Sequence, residues 1–453
     1  MARSHLPLSH EALMLDVLQN LPSPGGKNVT FHELDFLLGT EQSLSKVAWA
    51  DVPPSCDPVF ILDNLANNTR RKGNMEQQLS QMVLGRPGES SRVATTAYPG
   101  ATSRGTVKRW QVESFAAVLR HLLNDADRHL HVVDFGCGTG TLLLPLAVLF
   151  PHCTFTGVEM KPAAVALLLE RARAAGLSNV AARRCMIEEF LEEPFDVALA
   201  LHACGNATDA AMQLAVRRHA AYIVSPCCVG KLKFSLAGGS SFSPVIHSYT
   251  PMLPGERRGV APSGAAAPGE ASGQFECVAE RVEEERQRNS VAVVTSPATT
   301  ERGPAECEDV NARERGAAGS AITVKKNSDG VVTLGEIRHP RSRWLRNHLP
   351  DPEVQFRIMA KVADQNHTGG SQAALMGRQP GNLEAVAARL CKAHVELDRS
   401  LAAAEEFYAV GMFKCFQWEK MAKSDLLVGV PANRSEWLSF TKELQRYSSL
   451  DGL

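Results

Sequence analysis

The sequence predicts an α/β fold in which helices cover both faces of a mostly parallel sheet. From residue 130 to residue 225, apolar runs typical of buried strands alternate with helical segments. A turn with glycines at 136, 138 and 140 follows the first strand, and Glu159 ends the second. These observations predict a strand, turn, helix and strand that together bind a ligand at the glycine turn.

The region before this unit is expected to be small and helical. The spacing of apolar residues predicts helices over 11–21 and 108–123, and residues 70–83 have the pattern of a basic amphipathic helix. Residues 85–105 are typical of a linker. We therefore expect residues 1–105 to form an N-terminal helical region with a linker, followed by the first part of the core over 106–234.

The strands and helices of the core follow in regular order. Two runs, 195–201 and 220–225, are apolar almost throughout, as is typical of central parallel strands that are buried on both faces. Gly176 is expected to end the helix before the third strand. The other predicted elements are strands over 130–135, 153–159 and 180–186 and helices over 139–150, 162–175 and 207–218.

The composition changes after residue 234. Residues 235–336 are rich in Gly, Ala, Ser, Pro and charge, which predicts a low-complexity, largely disordered insertion, with a short helix at 275–288 and a strand at 290–295 as its only candidates for order. Residues 337–453 are expected to complete the sheet, so the insertion interrupts one domain. Their predicted elements are helices over 352–364 and 382–406 and strands over 408–416 and 425–430.

The spacing at the turn indicates the kind of ligand. The pattern Asp134-x-Gly136-x-Gly138-x-Gly140 is tighter than the dinucleotide fingerprint and has an acid before it, which fits S-adenosylmethionine, a cation without a pyrophosphate. We expect Asp134 to face its ammonium end and Glu159 to accept its ribose hydroxyls. The alternative is that the turn is only a tight connection. The expected cofactor-binding residues are Asp134, Gly136, Gly138, Gly140, Glu159, Met186, Ile187 and His202.

Composition excludes several classes of protein. The chain has 453 residues, 44% of them hydrophobic, and a net charge of −1, so an RNA surface would be a local patch. Eleven cysteines without regular spacing favour a reducing, intracellular setting over a disulfide scaffold. No apolar run is long enough to span a bilayer, and the N-terminus lacks a secretory pattern. We expect an intracellular, cytoplasmic protein without a membrane partner, and a mitochondrial location stays open.

A second group of polar residues follows the fourth and fifth strands. In a parallel sheet these strand ends and the glycine turn line one crevice. Methyl transfer from S-adenosylmethionine needs alignment of the cofactor with the acceptor and a group that takes a proton from the acceptor. The candidate catalytic residues are therefore His202, Asp209 and Lys231. Zinc is an alternative use of the side chains His202, Cys204, Cys227 and Cys228. Adjacent cysteines rarely bind one ion, and we expect no metal.

The motifs of this region resemble those of a known family. Residues 132–233, with Leu201 to Asp209 and Ser225 to Cys228, resemble the eukaryotic methyltransferase-domain family that includes the glutathione S-transferase C-terminal domain-containing protein. The tail around 397–399 and 423–429 is similar to it as well. His202 to Asp209 also resembles the H-x-C-G-x-A-T-D motif of the tRNA acceptor-stem 2′-O-methyltransferase family. The resemblance implies a fold with a Rossmann-like, seven-stranded class I sheet. It also implies a protein that binds S-adenosyl-L-methionine and methylates RNA, with tRNA as one candidate.

Two other functions stay open. A catalytically inactive cofactor-binding scaffold, such as an assembly factor on a ribonucleoprotein, would also have the glycine turn. A glutathione or redox protein would need reactive thiols at Cys227 or Cys228.

Two further clusters have alternative interpretations. A group of arginines around Trp344, and the stretch 70–72, are candidate RNA surfaces or solvated helix faces. The arginines are Arg338, Arg341, Arg343 and Arg346. Asp364, His394 and Asp398-Arg399 form either a polar cluster near the acceptor or a buried ion pair.

Overall fold

A computed structural model describes most of the predicted core. The described residues are 9–22, 29, 31–34, 47–62, 102–123, 129–191, 193–203, 205–226, 229, 232, 324–326, 332–334, 337–363, 383–421 and 423–447. Several predictions lie outside them, namely the basic helix over 70–83, the elements at 275–288 and 290–295, Cys204, Cys227, Cys228, Lys231 and Asp364. Residues 255–321 also lie outside them.

The fold is built on one eight-stranded sheet with the order β1-β9-β10-β6-β5-β2-β3-β4. All its strands run in the same direction except β10, which is antiparallel to both β6 and β9. The predicted seven strands are present, and the sheet gains the short strand β1 at one side. The bounds are β1 His32–Glu33, β2 His131–Phe135, β3 Thr154–Val158, β4 Val180–Arg183, β5 Val197–Leu201, β6 Ala221–Ser225, β9 Tyr408–Lys414 and β10 Asp425–Pro431.

Seven of the nine helices in the described ranges occur where the apolar periodicity predicts them, whereas those over 343–348 and 438–446 were not predicted. Gly176 ends α4 in a left-handed conformation, with Leu177 N donating to Ala172 O at 3.0 Å, so the prediction that this glycine ends the helix is confirmed. Within the described ranges, no helix combines the length and apolarity needed to cross a bilayer. The bounds are α1 His10–Gln19, α2 Arg104–Leu123, α3 Leu143–Leu149, α4 Pro162–Ala174, α5 Asn206–Arg217, α6 Arg343–His348, α7 Pro352–Ala363, α8 Leu383–Ala404 and α9 Leu438–Arg446.

Two apolar cores lie on the two faces of the sheet. Alternate residues of each strand enter opposite cores: Val133 packs with α5 and α8, whereas Val132 packs with α2 and α3. Tyr222 and Ile223 divide in the same way on β6. The observed architecture is therefore the doubly wound α/β fold that the sequence predicts.

The sheet joins the residues before the insertion to those after it. Val224 of β6 pairs with Leu427 of β10, about two hundred positions later in the chain. Near the N-terminus, α1 packs against α8 and β1 pairs with β9. The described residues on both sides of the insertion thus contribute to one sheet and its two cores.

A short hairpin lies near the end of the predicted insertion. Its strands are β7, Val324–Lys326, and β8, Val332–Leu334, and Lys325 pairs with Thr333. The strand β8 lies close to a 3-10 turn, Ile187–Glu189, which follows β4. Strands of three residues carry too little periodicity to be predicted from the sequence.

Candidate active site

The glycine turn after β2 bends in a way that only glycine adopts easily. Gly136, Gly138 and Gly140 have φ angles of 72°, 56° and 80°. The turn is fixed to the next strand because Gly136 N donates to Val158 O at 2.8 Å. The predicted bend at the carboxyl end of β2 is present.

Glu159 links the turn to the end of β3. Its Oε2 accepts a hydrogen bond from Gly138 N at 3.1 Å, and its Oε1 accepts one from Lys161 N at 2.9 Å. Each carboxylate oxygen has a second lone pair that can accept from a hydroxyl. The structure therefore brings together the turn and the acid.

Asp134 is a buried carboxylate next to this turn. Its side chain is 1% exposed, and neither Oδ1 nor Oδ2 has a hydrogen-bond partner within the described part of the chain. Burial raises the pKa of Asp134 to about 8; the charge of Lys108 opposes this rise and that of Glu159 adds to it. A buried carboxylate without a partner is costly, and a cation or a hydrogen-bond donor placed here would remove that cost.

The glycines have different surroundings. A Cβ on Gly138 would meet nothing within 4 Å, whereas one on Gly140 would lie 2.9 Å from Leu144 Cγ and 3.2 Å from Leu168 Cδ1. Gly138 therefore borders open space at the turn. Gly140 is required for the close packing of α3 and α4 on the turn.

Met186 and Ile187 lie at the same edge of the sheet, just after β4. Glu159 N donates to Arg183 O at 3.1 Å, which joins the ends of β3 and β4. Met186 N donates to Glu189 Oε2 at 2.9 Å and so begins the 3-10 turn. Their contact with a cofactor stays a prediction.

His202 follows β5 directly, and its backbone is left-handed, with a φ of 62°. Its N–H donates to Ser225 O at 3.1 Å, so the chain after β5 is joined to the end of β6. A non-glycine residue in this conformation is uncommon, and such residues cluster at functional sites. The structure places His202 at the same edge of the sheet as the glycine turn.

Asp209 lies one turn into α5 and is fully buried. Its Oδ1 accepts from Arg399 Nε at 3.0 Å and from Arg341 Nη1 at 3.2 Å, and its Oδ2 accepts from Arg399 Nη2 at 2.8 Å. His339 Nε2 lies 3.5 Å from Oδ2. Burial by itself would raise the pKa of Asp209, but the charge and hydrogen bonds of Arg399, with His339 close by, outweigh it and hold the pKa well below its usual value.

These contacts are those of a buried ion cluster. A carboxylate with a very low pKa, fully enclosed by cations, is a poor proton acceptor. Asp209 as a catalytic base stays a prediction, and its surroundings favour a structural role. Arg399 does form a buried ion pair, but its partner is Asp209, which the sequence analysis did not include in that group. Asp398 instead accepts hydrogen bonds from Ser342 and from the backbone N–H of Arg341.

The candidate RNA surface around Trp344 stays a prediction, and its side chains have other contacts within the described residues. Trp344 is 8% exposed and has little ring surface available for a base. Arg341 bonds to Asp209, Arg343 lies 3.3 Å from a Glu405 oxygen, and Arg346 donates to a backbone carbonyl. The sequence shows the arginines but not the carboxylates that they meet after folding.

Four charged side chains form a cluster beside the end of β6. The sequence did not predict this cluster. Ser225 Oγ donates to Asp425 O at 2.8 Å, and the carboxylate of Asp425 contacts the ammonium groups of Lys392 and Lys414. Lys392 also lies 2.8 Å from Glu396. Its members come from α8, β9 and β10, so no local pattern indicated it.

Metal binding has little support in the described ranges. These residues contain no group of three or more His, Cys, Asp or Glu side chains that could hold an ion. Three of the four side chains considered for zinc lie outside them.

Comparison with known proteins identifies this part of the chain. Residues 107–234 match a family described as "Methyltransferase domain". The chain is 39% identical over 126 residues to a glutathione S-transferase C-terminal domain-containing protein homolog of Drosophila pseudoobscura pseudoobscura, which covers 28% of this chain and 21% of that protein. It is 28% identical over 200 residues to the human glutathione S-transferase C-terminal domain-containing protein, covering 42% and 30%. The chain thus spans less than a third of the length of these two relatives.

A solved structure of PKMT2 from Rickettsia typhi in complex with AdoHcy is 17% identical, with a TM-score of 0.23, and the match covers 28% of this chain and 27% of that one. This likeness is too weak to carry a functional argument.

The residues at the turn fit S-adenosyl-L-methionine, the cofactor that a methyltransferase domain implies. Asp134 supplies two buried acceptor oxygens without partners, which suits an ammonium group. Glu159 supplies acceptors for hydroxyls, and Gly138 borders open space. By the match of its sequence, the segment 107–234 is thus similar to the methyltransferase-domain family.

Proposed function

We propose that the protein is an S-adenosyl-L-methionine-dependent methyltransferase that acts on RNA. The observation that carries the cofactor assignment is the buried carboxylate of Asp134. Its two oxygens have no partner among the residues that the structure describes, and it lies beside a turn that Glu159 holds in place. A carboxylate in this state is suited to a cationic ligand.

Each residue of the site has a distinct task in this function. The bound cofactor supplies an electrophilic methyl group. Asp134 accepts hydrogen bonds from the ammonium end, and Glu159 accepts them from the ribose hydroxyls. Gly138 leaves room for the ligand beside the backbone. Because in-line transfer depends mainly on alignment, rigid placement of the turn by Val158 and Glu159 contributes to the rate.

The RNA assignment rests on the resemblance of His202 to Asp209 to the tRNA methyltransferase motif. In this function His202 is the proton acceptor, because an imidazole titrates near neutral pH and its backbone is fixed at the carboxyl end of β5. Asp209 pairs with Arg399 and so fixes the first turn of α5, which follows the His202 segment.

Purified protein is expected to transfer a labelled methyl group from S-adenosyl-L-methionine to RNA from cells that lack this protein. His202→Asn should reduce turnover by about a hundredfold or more, because asparagine tolerates the left-handed backbone but is not a base. Mass mapping of the nucleosides would identify the acceptor atom. A variant with wild-type turnover would remove His202 from the mechanism. Cofactor binding without transfer to any RNA would favour the inactive scaffold.

The glycines provide a second test, because Gly138 and Gly140 differ in surroundings. Gly138→Ala should abolish the thermal stabilisation that the cofactor provides, at a folding cost of only about 1 kcal/mol from its left-handed backbone. Gly140→Ala should instead destabilise the cofactor-free protein by about 1 to 3 kcal/mol, because its Cβ would clash with Leu144. If Gly138→Ala and Gly140→Ala had equal effects on cofactor-induced stabilisation and on the stability of the cofactor-free protein, these separate roles of the two glycines would be wrong.

A further inference from the structure

A pocket lies at the edge of the sheet that carries the glycine turn, but at its other side. Its volume is about 210 Å³, and it lies between the end of β1 and the chain after β9. Glu33, Lys414, Phe416, Gln417 and Trp418 contribute to its lining. Lys414 also belongs to the charged cluster around Asp425, and none of these residues is part of the glycine turn.

The direction of the strands places this pocket in line with the active site. Strands β1 and β9 run in the same direction as β6, β5 and β2, so their carboxyl ends lie at the same edge. Neighbouring strands are about 4.8 Å apart, and β9 is four strands from β2, which puts the pocket roughly 20 Å from the glycine turn. A few nucleotides of an unpaired strand would span this distance.

The lining has the chemistry of a base-binding site. Phe416 and Trp418 are only partly buried, and the 3-10 turn Trp418–Lys420 buries none of its side chains. Partly exposed aromatic rings stack on unpaired bases, and Glu and Gln side chains can bond to base edges. Glu33 and Gln417 are exposed here.

A cation lies beside Gln417 of this lining. Lys420 is exposed, and its Nζ lies 5.6 Å from the ring centre of Trp110 and donates to Gln417 Oε1 at 2.8 Å. An ammonium group has three protons, so further donors are available for a phosphate. An aromatic ring for the base and a neighbouring ammonium for the phosphate are the two parts of a single-strand binding site.

We propose that this pocket binds one unpaired base of the RNA acceptor, with Trp418 stacking on the base and Lys420 contacting a neighbouring phosphate. This inference rests on the proposed function, since it adds a substrate contact to that activity. It makes the acceptor a single-stranded or looped segment of RNA.

The test measures binding of the full chain to a labelled single-stranded oligoribonucleotide by fluorescence anisotropy. Trp418→Ala should weaken binding about five- to a hundredfold, the effect of losing one stacked base. Lys420→Gln should also weaken it and should reduce the salt dependence, with the slope of log affinity against log salt falling by about 0.7. Calorimetry with S-adenosyl-L-methionine should give the wild-type result for both variants.

Two controls separate stacking from a structural role. Trp418 Nε1 donates to Glu33 Oε1 at 3.1 Å, so the ring could serve only to attach β1. Trp418→Phe keeps a ring but not this bond, and it should retain most of the affinity. Phe407→Ala removes another exposed aromatic, 80% accessible, that precedes β9 at the opposite edge of the sheet and should change nothing.

The outcomes distinguish this proposal from the function on which it rests. If wild type binds and methylates RNA and Trp418→Ala binds equally well, the pocket is not a base site, although the function stands. If Trp418→Phe is as weak as Trp418→Ala, the indole acts through Glu33 and the stacking proposal is wrong. If wild type methylates protein and not RNA from one lysate, both proposals fail.

Discussion

Asp209→Ala should lower the free energy of unfolding by about 3 to 5 kcal/mol, the usual cost of breaking a buried ion pair by removing one partner. Arg399 is almost completely buried, and it would lose the two hydrogen bonds that it donates to this carboxylate. Arg341 and His339 would lose an acidic partner as well. Urea unfolding followed by circular dichroism measures this loss.

The expected loss depends on pH in a definite direction. The folded-state pKa of Asp209 is lowered, so its stabilising contribution is complete above the unfolded pKa of about 4 and is lost as pH falls towards the folded-state pKa. The difference in stability between wild type and Asp209→Ala should therefore be constant from pH 5 to 7 and should narrow below about pH 4.

Three comparisons make this prediction specific. Glu193→Ala breaks an exposed pair with Arg183, so it should cost no more than about 1 kcal/mol. Arg399→Ala should be non-additive with Asp209→Ala by about 0.5 to 3 kcal/mol, because the two side chains share one interaction. If Asp209 were instead a catalytic base, Asp209→Asn would fold with wild-type stability and would change only the pH profile of turnover.

The Asp209 cluster also shows where sequence reasoning reached its limit. The strands and helices of the core were predictable because their apolar periodicities of 2.0 and 3.6 are local. The ion pair of Asp209 with Arg399 joins residues 190 positions apart. Nothing in the sequence near either residue indicates the other.

The glycine turn was predictable for the opposite reason. Gly136, Gly138 and Gly140 and the acid before them lie within seven positions, and Glu159 follows at the end of the next strand. Strand β1 was not predicted because two residues are too few to show a periodic apolar pattern. It forms by pairing with the edge strand β9. The burial of Trp344 was not predicted, because composition cannot show which side chains become buried.

Asp134→Asn should abolish cofactor binding and at the same time stabilise the cofactor-free protein. Burial raises the folded-state pKa of Asp134 from 3.8 to about 8, so its contribution to stability is complete below about pH 4 and is lost as pH rises to about 8. At about 1.4 kcal/mol per pKa unit, the loss is on the order of 6 kcal/mol. The asparagine cannot ionise, and thermal unfolding at pH 8 without cofactor should show the variant to be the more stable protein.

Cofactor affinity should follow the ionisation of the same carboxylate. A cationic ligand binds the carboxylate form, which is the minor form of the cofactor-free protein below about pH 8, so the affinity of wild type should rise by up to about tenfold per pH unit between pH 6 and 8. Above pH 8 it should fall again, because the α-amino group of the ligand loses its proton at about that pH. Calorimetry across this range measures both the rise and the fall of the affinity. The control variant Asp51→Asn, at an exposed position, should show the same pH dependence as wild type. An affinity that stays constant from pH 6 to 8 would show that Asp134 does not meet the ammonium group.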